Sequence, residues 1–134
     1  MNQKGFATLE VILMIVIIGI LATVAIPRFG DMKTKANTAK IQADLSTLDS
    51  AIEIYFMENG TYPADGEVKE TLGDYIKDIN NLKPPTGKAY VGENAKDIPD
   101  NSTYNVTTVT GSSEKRATLT IDSTAHTAGE FGKQ

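Results

Sequence analysis

Residues 6–26 are apolar at almost every position, and beyond them the pattern changes character. An unbroken apolar run of about 21 residues makes a helix of roughly 32 Å at about 1.5 Å per residue, close to the hydrocarbon thickness of a bilayer. Glu10 is the one ionisable residue inside that run. A carboxylate at that depth is costly and marks a functional position unless something partners it. Over residues 31–58 the apolar positions become periodic: Ile41, Leu45, Leu48, Ile52 and Tyr55 fall at helical intervals. That spacing predicts an amphipathic helix whose stripe packs on a small globular core. Lys33, Lys35, Asp44, Asp49, Glu53 and Glu58 occupy much of its remaining surface, and Asn59-Gly60 is a helix stop.

The rest of the chain carries weaker patterns. Val68, Leu72, Ile76 and Ile79 sit as one side of a short helix over residues 67–79, with Gly73 arguing against it. Lys83-Pro84-Pro85-Thr86-Gly87 reads as a loop, and residues 88–91 as a short strand. Residues 103–110 are rich in threonine and valine, which favours a strand. Ala117, Leu119 and Ile121 alternate with Thr118, Thr120 and Asp122, the pattern of a strand buried on one side. Gly111-Ser112-Ser113-Glu114-Lys115 joins the two as an antiparallel hairpin, and the residues from Ser123 onward read as a flexible tail. The fold class is therefore α+β: a long N-terminal helix, apolar in its first half and amphipathic in its second, packed on a small antiparallel sheet.

Composition narrows the function. The chain has 134 residues and a net charge of -4, whereas a general nucleic-acid binder leans basic. Arg28, Lys33, Lys35 and Lys40 share their helix with acidic residues and read as a solvated mixed-charge face. The absence of cysteine excludes disulfides, zinc-thiolate sites and cysteine nucleophiles. His126 is the only histidine and reads as a surface residue with no acid or serine aimed at it, so no enzyme is expected. Asp97, Asp100, Asp122 and Glu130 form no compact loop with calcium-ligand spacing, so neither metal nor cofactor is expected. Sequons at Asn59, Asn101 and Asn105 read as composition.

Gly5-Phe6, Glu10, the aliphatic run, Gly19 within it and Pro27 just past it resemble the class III signal of one family. These are the type IV pilins and the pseudopilins of type II secretion and DNA-uptake systems. The resemblance covers residues 1–30, and Ala7 departs from it, because that family usually has threonine directly after the phenylalanine. A second signature follows at the helix end, where Tyr55 precedes a short polar turn, Gly60 and Tyr62-Pro63. The resemblance implies a leader, residues 1–5, cut between Gly5 and Phe6 by a prepilin peptidase, with Phe6 then N-methylated. Residues 6–30 become a transmembrane and filament-core helix, and residues 31–58 an amphipathic helix continuing into the globular domain. Residues 59–134 make the connecting loop, the sheet and the tail. The implied partners are further copies of the chain in a helical homopolymer, the peptidase, an inner-membrane assembly platform, and the membrane before assembly. The precursor resides in the cytoplasmic membrane and the product is an extracellular filament on the cell surface; no nucleic-acid partner is readable.

Elementary electrostatics gives Glu10 a role within that frame. Cleavage after Gly5 would free an α-amine on Phe6, cationic at neutral pH with a pKa near about 8. Phe6 and Glu10 are four apart, on one helical face, so the pair can form within a chain or between staggered copies. Gly19 and Pro27 are the weak points of the helix, costing about 1 and 3 kcal/mol relative to alanine. Gly19 equally suits close helix–helix packing. The leading reading is a major pilin, a structural filament subunit assembled through its N-terminal helix. The second is a major pseudopilin, and a reading of another class is an uncleaved, single-span membrane-anchored binding module.

Overall fold

The computed structural model describes residues 3–132. Met1 and Asn2 of the expected leader and the last two residues of the expected tail lie outside them. The elements are α1 (Gln3–Asn59), β1 (Gly66–Glu67), α2 (Val68–Thr71), β2 (Gly87–Val91), β3 (Asn94–Ile98), β4 (Tyr104–Thr108), β5 (Lys115–Ile121) and β6 (Thr124–His126). Single 3-10 turns lie at Ile79–Asn81 and Ala128–Glu130. This is an α+β, type IV pilin-like architecture: one long N-terminal helix and a small antiparallel sheet. The chain divides into two compact units, Met1–Lys33 and Thr34–Gln134.

In the second unit the predicted stripe becomes the core. Ile41, Leu45, Leu48 and Ile52 are fully buried, and Tyr55 packs at the edge. They meet Tyr104, Val106, Ala117, Leu119 and Ile121 from the sheet, with Val68, Leu72, Ile98 and Phe131 closing the cluster. Four strands run in the order β1-β4-β5-β6, every neighbour antiparallel, and β2-β3 form a separate hairpin. Polar side chains of α1 satisfy strand edges that no strand covers. Asn37 donates to the carbonyls of Thr86 and Lys88, Thr38 accepts from the Tyr90 N–H at 2.8 Å, and Asp49 accepts from the Ala117 N–H at 2.8 Å. Since β6 pairs only with Leu119, Thr120 and Ile121, Asp49 caps the part of β5 left open.

The helix stop is built as the sequence suggests. Gly60 adopts φ 70 and its N–H returns to the Phe56 carbonyl at 2.8 Å, an αL termination that a side chain would strain. Aromatics then clasp the turn: Phe56 stacks on Tyr62 at 4.3 Å between centroids, and Tyr55 meets Tyr75 at 5.3 Å.

Several expectations need correction. Residues 67–79 do not form one helix: α2 is a single turn, Val68–Thr71, capped at Leu72, whose N–H donates to the Val68 carbonyl, and at Gly73 the chain turns so close to the Lys69 carbonyl that only glycine fits without displacement. The apolar spacing reported burial rather than helix, since Val68 and Leu72 are core and Ile76 and Ile79 pack against it. Thr118 is buried although it lies on the polar side of β5, where it contacts the Thr107 hydroxyl. Strands β1, β3 and β6 lie outside the three strands that the sequence predicts.

The stretch after Ser123 is folded rather than loose. β6 pairs with β5, Phe131 is buried, and Phe131 bridges Val91. Its carbonyl accepts from Gln42, the Glu130 carbonyl from the Gly92 N–H, and the Tyr90 carbonyl from the Gly132 N–H. His126 is likewise not a surface residue: it is buried, and an acid does point at it, Glu130, 3.3 Å from Nδ1.

Candidate membrane and assembly segment

The first unit is the helical part of α1 up to Lys33, and its described side chains are exposed apart from the half-buried Ala25. More than a dozen large apolar residues from Phe6 (59% exposed) to Ile26 (71% exposed) stand open. Leaving them in water would forgo on the order of 20–40 kcal/mol of burial at about 1.5–3 kcal/mol each. That exceeds the about 5–15 kcal/mol of net stability of an ordinary domain. The segment is therefore built for burial outside its own chain, and the helix is long and apolar enough to cross a membrane. A helix suits that setting because every backbone group in its interior is satisfied internally.

The polar side chains within the segment sort into two kinds. Thr8 donates to the Lys4 carbonyl at 2.9 Å and Thr23 to the Ile20 carbonyl at 2.7 Å, so both hydroxyls are closed on their own helix. Glu10 has no such solution. Every ion pair among the described residues joins side chains from Lys40 onward. Gly5, Phe6 and Glu10 all lie on the first turns of α1, which puts Phe6 and Glu10 one turn apart on one face. In the uncut chain the Phe6 nitrogen is a peptide amide and offers Glu10 no charge.

Gly19 and Pro27 leave α1 unbroken in the single chain. An added Cβ at Gly19 would meet nothing within 4 Å, so no contact within the chain requires glycine there. The structure thus brings Gly5, Phe6 and Glu10 together and keeps Gly19 well along the helix from them.

The second unit offers less chemistry. Lys40 pairs with Asp44, and Asp44 also accepts from the Tyr104 hydroxyl at 2.7 Å. Burial, followed by the hydrogen bond to Asp44, pushes the Tyr104 phenol well above its usual range and keeps it neutral. Arg116 reaches Asp49 at 3.4 Å, and Lys115 reaches Asp65 at 2.7 Å. Asp44 and Asp49 border the apolar stripe, which is the one signal in the sequence for their inward reach. No group of three or more histidine or carboxylate side chains able to hold a metal exists among the described residues. A groove of about 260 Å³ beside α2 is lined by Glu67, Lys69, Lys83, Thr103 and Tyr104 among others, and in it the Thr103 hydroxyl donates to the Glu67 carboxylate at 3.4 Å.

Known proteins similar to this chain include secretion-system and fimbrial proteins. Type II secretion system core protein G of Klebsiella michiganensis is 40% identical over 71 residues, 53% of this chain and 50% of that protein. Its counterpart in Vibrio cholerae is 33% identical over 103 residues, 66% of this chain and 69% of that protein. A fimbrial protein of Pseudomonas aeruginosa is 29% identical over 122 residues, 89% of this chain and 78% of that protein. The chain spans about half the length of the first of these curated relatives. No family model matches the chain, and no solved structure does.

Proposed function

Because this chain belongs to the family of type IV pilins and type II secretion pseudopilins, we propose that it is the structural subunit of a helical filament, a major pilin. The observation that carries this reading is the first unit: an exposed apolar helix whose apolar run holds one carboxylate, Glu10, that forms no ion pair among the described residues. Lipid can satisfy the apolar surface but not Glu10, which costs about 2.5–3.5 kcal/mol at the centre of a span. Packing against other copies satisfies both. Cleavage between Gly5 and Phe6 by a prepilin peptidase would supply the amine, and N-methylation leaves it basic. The precursor then waits in the cytoplasmic membrane with residues 6–30 as its anchor, an assembly platform draws it out, and residues 31–134 coat an extracellular filament. Gly19 and Pro27 are the places where that helix loosens on packing.

A second reading, a major pseudopilin of a secretion system, draws on the relatives named core protein G. The two share the subunit chemistry and differ in the filament's use. Mass spectrometry of the mature N-terminus tests what they share. A chain starting at methylated Phe6 is the expected result, and an intact Met1 in cells that assemble filaments overturns it in favour of an uncleaved anchor. Deleting the coding sequence then separates the two uses: loss of surface filaments identifies a pilus, and loss of a secreted enzyme identifies a pseudopilus.

A further inference from the structure

The end of α1 carries chemistry that filament assembly does not use. Asn59-Gly60 is the one Asn-Gly pair in the chain, and both residues are exposed. An asparagine followed by glycine is open to intramolecular attack, because no side chain hinders the glycine nitrogen. Here three hydrogen bonds oppose that attack. The Asn59 amide nitrogen donates to the Tyr55 carbonyl at 3.0 Å and to the Tyr75 hydroxyl at 2.9 Å, and the Gly60 N–H donates to the Phe56 carbonyl at 2.8 Å. The side-chain amide is thereby aimed back along the helix, away from the Gly60 nitrogen, and that nitrogen is itself engaged.

We infer that Asn59 is a site of spontaneous deamidation, gated by opening of the helix end that Tyr55, Phe56 and Tyr75 hold shut. In the open state a base in solvent removes the Gly60 amide proton. The nitrogen then forms a bond to Cγ of Asn59, the Cγ–Nδ2 bond breaks, and ammonia leaves with a proton from water. The five-membered imide that results is opened by water at either carbonyl, giving an aspartate or an isoaspartate at position 59. No oxidant or enzyme is needed. The product loses the bond to the Tyr55 carbonyl, and the Tyr75 hydroxyl can meet the new carboxylate only by turning from acceptor to donor. A negative charge also stands at a helix C-terminus beside Glu58, where the backbone dipole disfavours it. An isoaspartate also adds a methylene to the main chain, which no helical turn accommodates. The modification is therefore one-way, and it loosens the Tyr55–Tyr75 contact between α1 and the loop that follows.

The test uses the full chain in detergent micelles at mildly alkaline pH, with peptide mass mapping over days and the same chain in urea as the open reference. Conversion at Asn59 is expected in the folded chain, slower than in urea. Tyr75→Phe keeps the ring contact and removes only the hydroxyl. It should speed conversion by about threefold to tenfold, the population shift that one lost hydrogen bond gives. Absence of conversion in the folded chain while the urea sample converts fully would overturn the inference. An unchanged rate in Tyr75→Phe would overturn the gating. Neither result bears on filament assembly.

Discussion

Glu130 shows how much one side chain does in this protein. Its carboxylate accepts from the Thr127 N–H at 2.7 Å, from the Thr127 hydroxyl at 3.2 Å, and from His126 Nδ1 at 3.3 Å. A carboxylate only accepts, so Nδ1 carries the imidazole proton, and Nε2 faces the interior with no partner. Partial burial pushes the Glu130 carboxyl up, but the hydrogen bonds from the Thr127 N–H, His126 and the Thr127 hydroxyl outweigh it. They hold the group below its ordinary 4.5. A depressed folded-state pKa contributes stability above the unfolded value and loses it as pH falls through the folded one. Melting curves should therefore show Glu130→Gln less stable than wild type at pH 6, with the gap closing as pH drops below 4.5. A gap that stays constant down to acid pH would show that Glu130 acts through shape alone. None of this was legible in the sequence, where His126 sits among small residues. Its burial is set by Phe131 and by pairing with Leu119, contacts that no local pattern announces.

At the scale of elements, legibility follows the range of the interactions. The stripe of α1 and the hairpin of β4 and β5 are local patterns, and the sequence carried them with little error. β3 and β6 depend on neighbours: β3 offers only Ala95 and Ile98 as apolar positions, and β6 is three residues long. Gly92 (φ 58) in the two-residue turn after Val91 was the available signal for β3. α1 also finishes the sheet chemically, and that role can be measured. Asp49→Ala leaves the Ala117 N–H without an acceptor and should cost about 1–3 kcal/mol in urea unfolding of the full chain in micelles. Asp49→Asn retains an acceptor oxygen and should lose less. If both lose equally, the Arg116 ion pair matters more than the capped strand, although exposed pairs contribute only about 0–1 kcal/mol. Leu45→Ala, fully buried in the same helix, should cost about 2–5 kcal/mol, setting the scale for a core truncation.

At the scale of the whole molecule, the two units of the chain answer to different surroundings. Thr34–Gln134 buries its own stripe, and among the described residues of Met1–Lys33 no large side chain is buried, so the folding of one says little about the fate of the other. Glu10→Gln separates them. It removes a charge and keeps the size, so membrane insertion should be retained or improved and the second unit should melt as in wild type, while filament yield collapses. A wild-type yield would sink the pairing proposal. Co-expression then decides where the partner lies. On the proposed cleavage, a Glu10→Gln subunit would still carry the freed amine of Phe6. If pairing runs between staggered copies, that amine can meet Glu10 of a wild-type neighbour, and mixed filaments should take up the variant that cannot assemble alone. If pairing is within the chain, each variant subunit lacks its own pair whatever its neighbours, and wild-type partners should not rescue it. Tagged variant recovered in sheared filaments supports the first arrangement. A tag confined to the membrane fraction supports the second, in which Glu10 neutralises an amine without setting register.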